Sequence, residues 1–265
     1  MEILGYFLAS LVGISLGLIG GGGSILTVPI LVYVMSVNPV LATSYSLFIV
    51  GSASLVGAAN NYRRGFVSVK TALLFGLSSI TTVFVTRKIL LPLIPAELFK
   101  IGGLSITQSL ATMVLFALLM LAASIAMIRN KRQVNVKSNN EHQHGNILKL
   151  VLYGVLIGLV TGFLGAGGGF LIIPTLVLLL KMPMKKAVGT SLLIIALNSL
   201  IGFTGDIGHF NIDWTFLIII TTIAIAGIFI GGLLAKKIAG EKLKKAFGWF
   251  VLVMGLYILI KEIFF

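Results

Sequence analysis

The fold is decided by a stretch that the chain contains twice, GGGGSILTVP at residues 20–29 and GAGGGFLIIP at residues 165–174. The two copies are 145 residues apart, and the same offset relates smaller matches on either side of them: Gly13 and Gly17 with Gly158 and Gly162, Ala42 with Ala187, Ser46-Leu47 with Ser191-Leu192, Ser54 with Ser199, and Gly57 with Gly202. A glycine run that interrupts an apolar helix in both halves of a chain is the sequence pointer to a transporter's central binding site. We therefore interpret the chain as an internal duplication built around two helix breaks.

The composition is that of a membrane protein. Of the 265 residues, 58% are hydrophobic and 10% are charged, with a mean hydropathy of +1.11, whereas soluble domains average about 25% charged residues. The first residues lack the positively charged start of a signal peptide, so we expect the first apolar block to be a retained helix. Cysteine is absent from the sequence, which excludes disulfides and thiolate chemistry.

Ten apolar blocks divide into five per half. They cover residues 3–19, 24–37, 40–58, 67–91 and 102–128, and then 147–164, 169–180, 187–203, 214–235 and 243–265. As helices, the second blocks of the two halves would be only about 21 and 18 Å long, against a hydrocarbon core of about 30 Å. We predict an all-α polytopic membrane protein of two inverted repeats, residues 1–128 and 149–265, joined by a cytoplasmic polar linker, residues 129–148. Each repeat is a re-entrant-like hairpin of short helices followed by three transmembrane helices, and a count of eight or ten helices is compatible with the pattern.

The basic residues predict the orientation of these helices. If the linker is cytoplasmic, sixteen of the 20 Lys and Arg residues fall inside, as the positive-inside rule requires. Arg87, Lys88, Lys100 and Lys261 are then assigned to the outside, together with both termini and five of the seven acidic residues. No Asp, Glu, Lys or Arg is expected at mid-depth, so a proton carrier of the usual carboxylate kind is missing. This topology accounts for the net charge of +13 without nucleic acid, which we do not expect as a partner.

The glycine runs predict an anion site. Broken backbone at membrane depth survives only where protein or a water-filled cavity satisfies it. The helix that begins after each break presents unpaired amide groups and the positive end of its dipole, which together hold an anion. We expect the two breaks to converge, and we predict a substrate-binding set of Gly21, Gly22, Gly23, Ser24, Ser46, Gly167, Gly168, Gly169, Thr190, Ser191, Asn198 and Gln108. Close helix packing is the alternative reading of glycine, and we favour it for the pairs Gly13/Gly17 and Gly158/Gly162.

The remaining polar residues are open to two interpretations. Gln108, Asn198, Asn60 and Thr161 are as compatible with interhelical hydrogen bonding as with ligand contact. Asp206 and His209 are expected in a loop on the outer side, where they would form a gate or a proton relay or would simply be solvated. His142 and His144 in the linker are a poor metal-ligand set, so no metal and no cofactor is predicted. An enzyme is not expected, because three His residues and no paired intramembrane carboxylates offer no catalytic constellation.

The doubled motif resembles the TauE/SafE sulfite exporter family. The resemblance rests on the two stretches quoted above and on Ala187-Val188-Gly189-Thr190-Ser191-Leu192, which is similar to the second signature of that family. The first-half counterpart, residues 42–47, departs from it by having Tyr45. The resemblance implies a multi-pass membrane protein that moves sulfite or organosulfonate anions such as sulfoacetate.

Together these observations predict a secondary transporter that works by alternating access. The expected location is the cell (inner) membrane, and the expected partners are a small anionic solute, the lipid bilayer and, in a homodimer, a second copy of the chain. An anion channel of the same architecture and a transporter of a non-sulfur anion are the alternatives.

Overall fold

The computed structural model describes residues 2–95, 97–101, 104–129, 147–165, 167–180, 182–234 and 240–264. Most of the predicted linker, with His142 and His144, lies outside the described residues, and the domain boundaries stay predictions. Within the described residues, no three His, Cys, Asp or Glu side chains come together as a metal site.

The first half forms five helical elements and one β-hairpin. Helix α1 spans Glu2–Ile19. Element α2 joins a 3₁₀ segment Gly21–Leu26, an α-helical turn Thr27–Pro29 and a π-helical turn Ile30–Val34. Helix α3 spans Pro39–Arg63. Helix α4 spans Val69–Val85 and continues through a π-helical turn Thr86–Leu90 and a final turn Leu91–Leu93. Strands β1, Glu97–Ile101, and β2, Leu104–Thr107, pair antiparallel with Lys100 opposite Ser105, and helix α5 spans Gln108–Arg129.

The second half repeats the five helical elements. They are α6, Ile147–Leu164; α7, Gly169–Leu179; α8, Met184–Asp206; α9, Trp214–Leu234; and α10, Gly240–Phe264. Helix α7 has 11 residues, so it is about 16 Å long and too short to cross a hydrocarbon core of about 30 Å. The predicted short second helix of each half is therefore confirmed. The β-hairpin was not anticipated, because its residues were assigned to the fifth apolar block or to the loop before it.

Helices of one half pack mainly on helices of the other. The most extensive contacts are α1 with α9, α4 with α6, α3 with α8 and α5 with α10. Exchanging the halves turns the α1–α9 pair into the α6–α4 pair and leaves the α3–α8 and α5–α10 pairs unchanged. The packing pattern is thus the same viewed from either half, which is the property of an isologous, two-fold arrangement.

The 145-residue offset holds for individual contacts. The space beside Gly57 is occupied by Leu192 and Ile228, and the space beside Gly202 by Leu47 and Val83. The backbone N–H of Ser68 donates to the Thr190 hydroxyl (2.9 Å), and at the equivalent positions the N–H of Asp213 donates to the Tyr45 hydroxyl (2.8 Å). Tyr45 and Thr190 are different residue types, but their hydroxyls accept equivalent hydrogen bonds. Tyr45 therefore departs from the family signature without losing the hydrogen bond made at this position.

Helices α3 and α8, which are equivalent in the two halves, run antiparallel at the centre of the molecule. Phe48 packs against Phe203, with ring centroids 5.0 Å apart and the rings tilted by 57°, whereas Gly57, further along α3, packs on Leu192, which comes earlier in α8. Both helices are largely buried. The core therefore lies along this crossing, and the other long helices surround it.

The outer helices carry large apolar side chains on their exposed faces, for example Leu77, Ile218, Phe229 and Val253. Among the described residues, five helices are long and apolar enough to cross a membrane: Pro39–Arg63, Val69–Leu93, Gln108–Ile125, Met184–Asp206 and Trp214–Leu234. An apolar exterior on helices of this length is what a lipid environment requires. The predicted all-α, multi-pass membrane fold is confirmed, while the inverted orientation of the repeats stays a prediction.

Candidate functional site

Both helix breaks form at the glycine runs. In the first half, α1 ends at Ile19 and Gly20 adopts φ +78° and ψ −129°, a region essentially restricted to glycine. In the second half, α6 ends at Leu164, and Gly165, Gly167 and Gly168 have φ values of +65°, +65° and +68° before α7 begins. The helical conformation is therefore interrupted at each break, because glycine, which has no Cβ atom, tolerates these positive φ values.

The two breaks meet in direct backbone contact. A side-chain carbon added at Gly21 would collide with the Cα of Gly169, and one added at Gly169 would collide with Gly21. The α3–α8 crossing lies beside them, since a Cβ on Gly167 would stand 2.9 Å from Val50 and 3.0 Å from Ile195. Val50 and Ile195 are equivalent under the 145-residue offset, so the breaks converge at the pseudo-two-fold axis, as the sequence predicts.

The start of helix α7 lies at this junction. The N–H groups of Leu171 and Ile172 both donate to the carbonyl oxygen of Gly168, at 3.0 Å each, so the hydrogen-bond ladder of α7 starts there. The amides at the very start of a helix have no intrahelical acceptor and carry the positive end of its dipole. In the first break, the Ser24 hydroxyl donates its hydrogen to the carbonyl oxygen of Gly21 (2.8 Å), so this hydrogen is not available to an anion.

Two buried hydroxyls at the second break have no partner. The Thr161 hydroxyl occupies the space where a side chain on Gly168 would lie, and the Ser199 hydroxyl would be 3.0 Å from a Cβ on Gly167. Neither oxygen makes a hydrogen bond within the described residues, and leaving a buried polar group unsatisfied costs about 1–3 kcal/mol. These hydroxyls are therefore suited to a polar ligand that reaches the break.

Several predicted site residues are buried beside the junction but already hold protein partners. Ser191 donates to the Val188 carbonyl oxygen (2.8 Å), Thr190 accepts from Ser68 as described above, and the Asn198 amide donates to the Ser79 hydroxyl (2.7 Å). The Asn198 Oδ1 atom and the Ser46 hydroxyl are buried without a partner among the described residues. Gly22 and Gly23 lie in the 3₁₀ segment of α2, and Gly23 packs on α1, where an added Cβ would stand 2.6 Å from the backbone nitrogen of Leu16.

Gln108 is not brought to the breaks by any of its observed bonds. It is the first residue of α5, it is half-buried, and its amide reaches the carbonyl oxygen of Leu91 at the end of α4 (3.4 Å). The alternative reading of this residue as an interhelical contact fits the position better than the ligand role.

The expected loop position of Asp206 is wrong, because this residue is buried in a helix against Arg87, whose assignment to the outer side stays a prediction. Asp206 is the last residue of α8 and Arg87 lies in the π-helical turn of α4, where Nη1 of Arg87 donates to Oδ2 of Asp206 at 3.0 Å. The two side chains are 1% and 0% exposed. His209, by contrast, is exposed and donates its backbone N–H to the Asp206 carbonyl oxygen (3.0 Å). The sequence does not predict that Arg87 pairs with Asp206, because the two residues are 119 positions apart and no local pattern connects them.

The family model described as sulfite exporter TauE/SafE matches residues 6–258. A probable membrane transporter protein of Xylella fastidiosa (strain 9a5c) is 32% identical over 256 residues, covering 94% of this chain and 91% of the relative. A probable membrane transporter protein of Methanocaldococcus jannaschii is 34% identical over 264 residues, covering 94% and 92%, and one of Bacillus subtilis, YdhB, is 25% identical over 249 residues, covering 94% and 96%. No solved structure matches the chain.

Proposed function

Because the chain belongs to the sulfite exporter TauE/SafE family and is a multi-pass membrane transporter, we propose that it carries a small sulfur-containing anion, sulfite or an organosulfonate such as sulfoacetate. The anion is held where the two glycine breaks meet. The family and the names of the relatives indicate a transporter rather than an enzyme.

The observation that carries this proposal is the convergence of the breaks beside unpartnered hydroxyls. Backbone amides and hydroxyl groups donate hydrogen bonds, and a helix N-terminus adds positive potential, so the junction favours negative charge without a cation in the cage. A sulfite or sulfonate group offers three oxygens as acceptors. Thr161 and Ser199, on α6 and α8, approach the second break from two different helices, which matches an acceptor with several oxygens.

Alternating access is the mechanism that the closed junction favours. Gly21 and Gly169 touch, so an anion enters only when the two breaks separate. We propose that the halves separate first on one side of the membrane and then on the other, as transporters with inverted repeats do. The antiparallel run of α3 and α8 supports opposite orientations of the halves. The distribution of Lys and Arg supports placing both termini outside and the linker in the cytoplasm.

Counterflow in proteoliposomes tests the proposal. Vesicles loaded with unlabelled sulfite or sulfoacetate and diluted into a trace of the radiolabelled anion should accumulate label transiently and saturably. Linear, non-saturating flux together with an ohmic current would instead identify an anion channel. Absence of flux for every sulfur anion, in protein that is folded and inserted, would contradict the proposed substrate class.

Two glycine substitutions localise the transport site. Gly168→Leu places a side chain against the Thr161 hydroxyl at a residue with positive φ, whereas Gly232→Leu points into open space on α9. We expect Gly168→Leu, like Gly22→Leu, to abolish counterflow while the protein still inserts, and Gly232→Leu to retain it. Wild-type flux in the Gly168→Leu and Gly22→Leu proteins would exclude the breaks as the site.

A further inference from the structure

A buried arginine offers hydrogen-bond donors that have no acceptor in the described part of the chain. Arg87 is fully buried and holds Asp206 through Nη1 alone. Its Nε and Nη2 atoms have no hydrogen-bond partner within the described residues. Nε–H and Nη2–H form one edge of the guanidinium fork, the edge that binds two oxygens of a carboxylate, phosphate or similar oxyanion side by side. The guanidinium therefore holds its counterion end-on and leaves its bidentate edge unused.

This ion pair is connected to the second glycine break through residues adjacent to it in the chain. The backbone of Gly205 in α8 approaches Arg87 so closely that an added Cβ would stand 3.1 Å from the Arg87 Cβ. Thr86, the preceding residue, packs on Gly162 near the end of α6, and Gly165 at the start of the break packs on Thr43. The buried Ser44 hydroxyl, one residue further along α3, lies beside the Asp206 carboxylate without completing a hydrogen bond.

The cluster of Ser44, Arg87 and Asp206 has no charged counterpart at the positions that the 145-residue offset makes equivalent. Under the 145-residue offset, Ser44, Arg87 and Asp206 correspond to Gly189, Gly232 and Asn61. The Asn61 side chain donates to its own helix, to the Gly57 carbonyl oxygen (2.9 Å), and Gly232 faces open space. The equivalent place therefore holds no charge, and it lies in a regular α-helix where α4 has its π-helical turn, so the buried ion pair is specific to one half.

We propose that the free edge of Arg87 binds the transported oxyanion and that Asp206 is the counterion which the anion replaces. This inference rests on the proposed function and adds the charged contact that the glycine breaks lack. An anion beside an ionised Asp206 would leave an uncompensated negative charge in a medium of low dielectric. The Asp206 carboxylate therefore takes up one proton from water when the anion binds, so that Arg87 keeps one negative partner and the net charge of the site is unchanged.

Few other charged groups face the pair. Lys88 follows Arg87 and is exposed over the Phe84 ring, 5.3 Å from its centroid. His209, three residues beyond Asp206, is also exposed, so neither side chain shares the buried environment of the pair. Proton uptake on anion binding is accordingly assigned to Asp206.

Asp206→Asn provides the first test. The substitution removes the negative charge that competes with the anion, so no proton has to be taken up. The form of the site that binds the anion, with an uncharged residue 206, is then always populated, and the apparent affinity for the anion should rise about tenfold or more. The probe is sodium methanesulfonate, compared with sodium chloride, whose anion has no oxygens, at equal ionic strength, and the readout is the melting temperature of the purified protein. The matched control is Arg87→Gln/Asp206→Asn, which has no buried charge and should gain nothing. Equal responses in the single and double variants, or an Asp206→Asn response no larger than that of the wild type, would overturn the proposal.

Proton uptake by the wild type provides a second test that needs no variant. Methanesulfonate does not titrate near neutral pH, so a pH indicator in weakly buffered solution reports only protons taken up by the protein. About one proton per bound anion is expected. Binding without proton uptake, or no binding of methanesulfonate by any folded form, would overturn the assignment.

The two proposals fail separately. If the wild type shows saturable sulfite counterflow that Gly168→Leu abolishes, while Asp206→Asn behaves like the double variant, the glycine site stands and the Arg87 contact falls. If Asp206→Asn binds methanesulfonate more tightly but no sulfur anion is transported, the Arg87 contact stands and the proposed function falls.

Discussion

Substituting Gly231 by Ala should separate two helices that pack backbone to backbone. Helix α1 lies on α9 through Gly13 and Gly17 on one side and Gly227 and Gly231 on the other. A Cβ on Gly231 would collide with the carbonyl oxygen of Ile14 and lie 3.0 Å from the Cα of Gly17. These neighbours are backbone atoms, which cannot rotate away, so the helices themselves have to move.

The next residue along the same helix supplies the control. A Cβ on Gly232 meets nothing within 4 Å, so Gly232→Ala should only gain helix propensity, up to about 1 kcal/mol. Gly231→Ala gains the same propensity, so the expected difference between the two adjacent alanine variants is the cost of overpacking at Gly231, about 1–3 kcal/mol. At roughly 2–4 °C per kcal/mol for a chain of similar size, the melting temperatures should differ by about 2–12 °C.

Thermal unfolding of the purified variants in one detergent measures this difference. The chain has no cysteine and two tryptophans, Trp214 and Trp249, and Trp214, although 48% exposed, packs edge-on against Phe48 and the buried Phe203. Its fluorescence should therefore report loss of the core without a label. Equal melting temperatures for the two variants, or a more stable Gly231→Ala protein, would refute the close packing of α1 on α9.

Two further predictions use pairs of positions in the same way. Gly65 and Gly165 both have positive φ, +74° and +65°, but of these two only Gly165 lies against another backbone, that of Thr43. Gly65→Ala should therefore cost about 1–2 kcal/mol of stability, and Gly165→Ala should cost about 1–3 kcal/mol more. Equal melting temperatures for the two variants would contradict the packing of Gly165 on Thr43. Tyr45→Phe and Thr190→Val remove equivalent acceptors at the starts of two helices, so each should destabilise by about 1 kcal/mol. A loss confined to one of the two would show that the hydrogen bonds are not equivalent.

The helix breaks and their convergence could be predicted because the requirement is local and occurs twice. Consecutive glycines tolerate the backbone conformations of a break, and a second copy 145 residues later indicates a symmetrical partner. The packing of the smaller glycine pairs was predicted for the same reason and is confirmed by the contacts of Gly13 with α9 and of Gly158 with α4. In both cases a sequence feature of a few residues determines the contact.

The sequence did not predict the buried ion pair, the unpaired Ser199 hydroxyl or the β-hairpin. Their residues either have no counterpart of the same type in the other half or resemble the residues around them. Arg87 and Asp206 have uncharged counterparts, so comparison of the halves passes over them, and their pairing depends on how α4 packs on α8. Ser199 does repeat, as Ser54, but a single serine in an apolar helix gives no sign of whether its hydroxyl is satisfied. The β-hairpin was missed because its second strand has the same apolar character as the helix that follows.

If an oxyanion binds at the junction of the glycine breaks, it should use the buried hydroxyls of Thr161 and Ser199. The melting temperatures of the wild type and of Thr161→Val/Ser199→Ala, with and without sulfite, sulfoacetate and a carboxylate control, test this binding. Because the two hydroxyls are buried and have no partner among the described residues, their removal should not lower the melting temperature of the ligand-free protein. A sulfur anion should raise the melting temperature of the wild type in a concentration-dependent way, and the double variant should lose this increase. An equal increase in both proteins would show that the anion does not bind these hydroxyls.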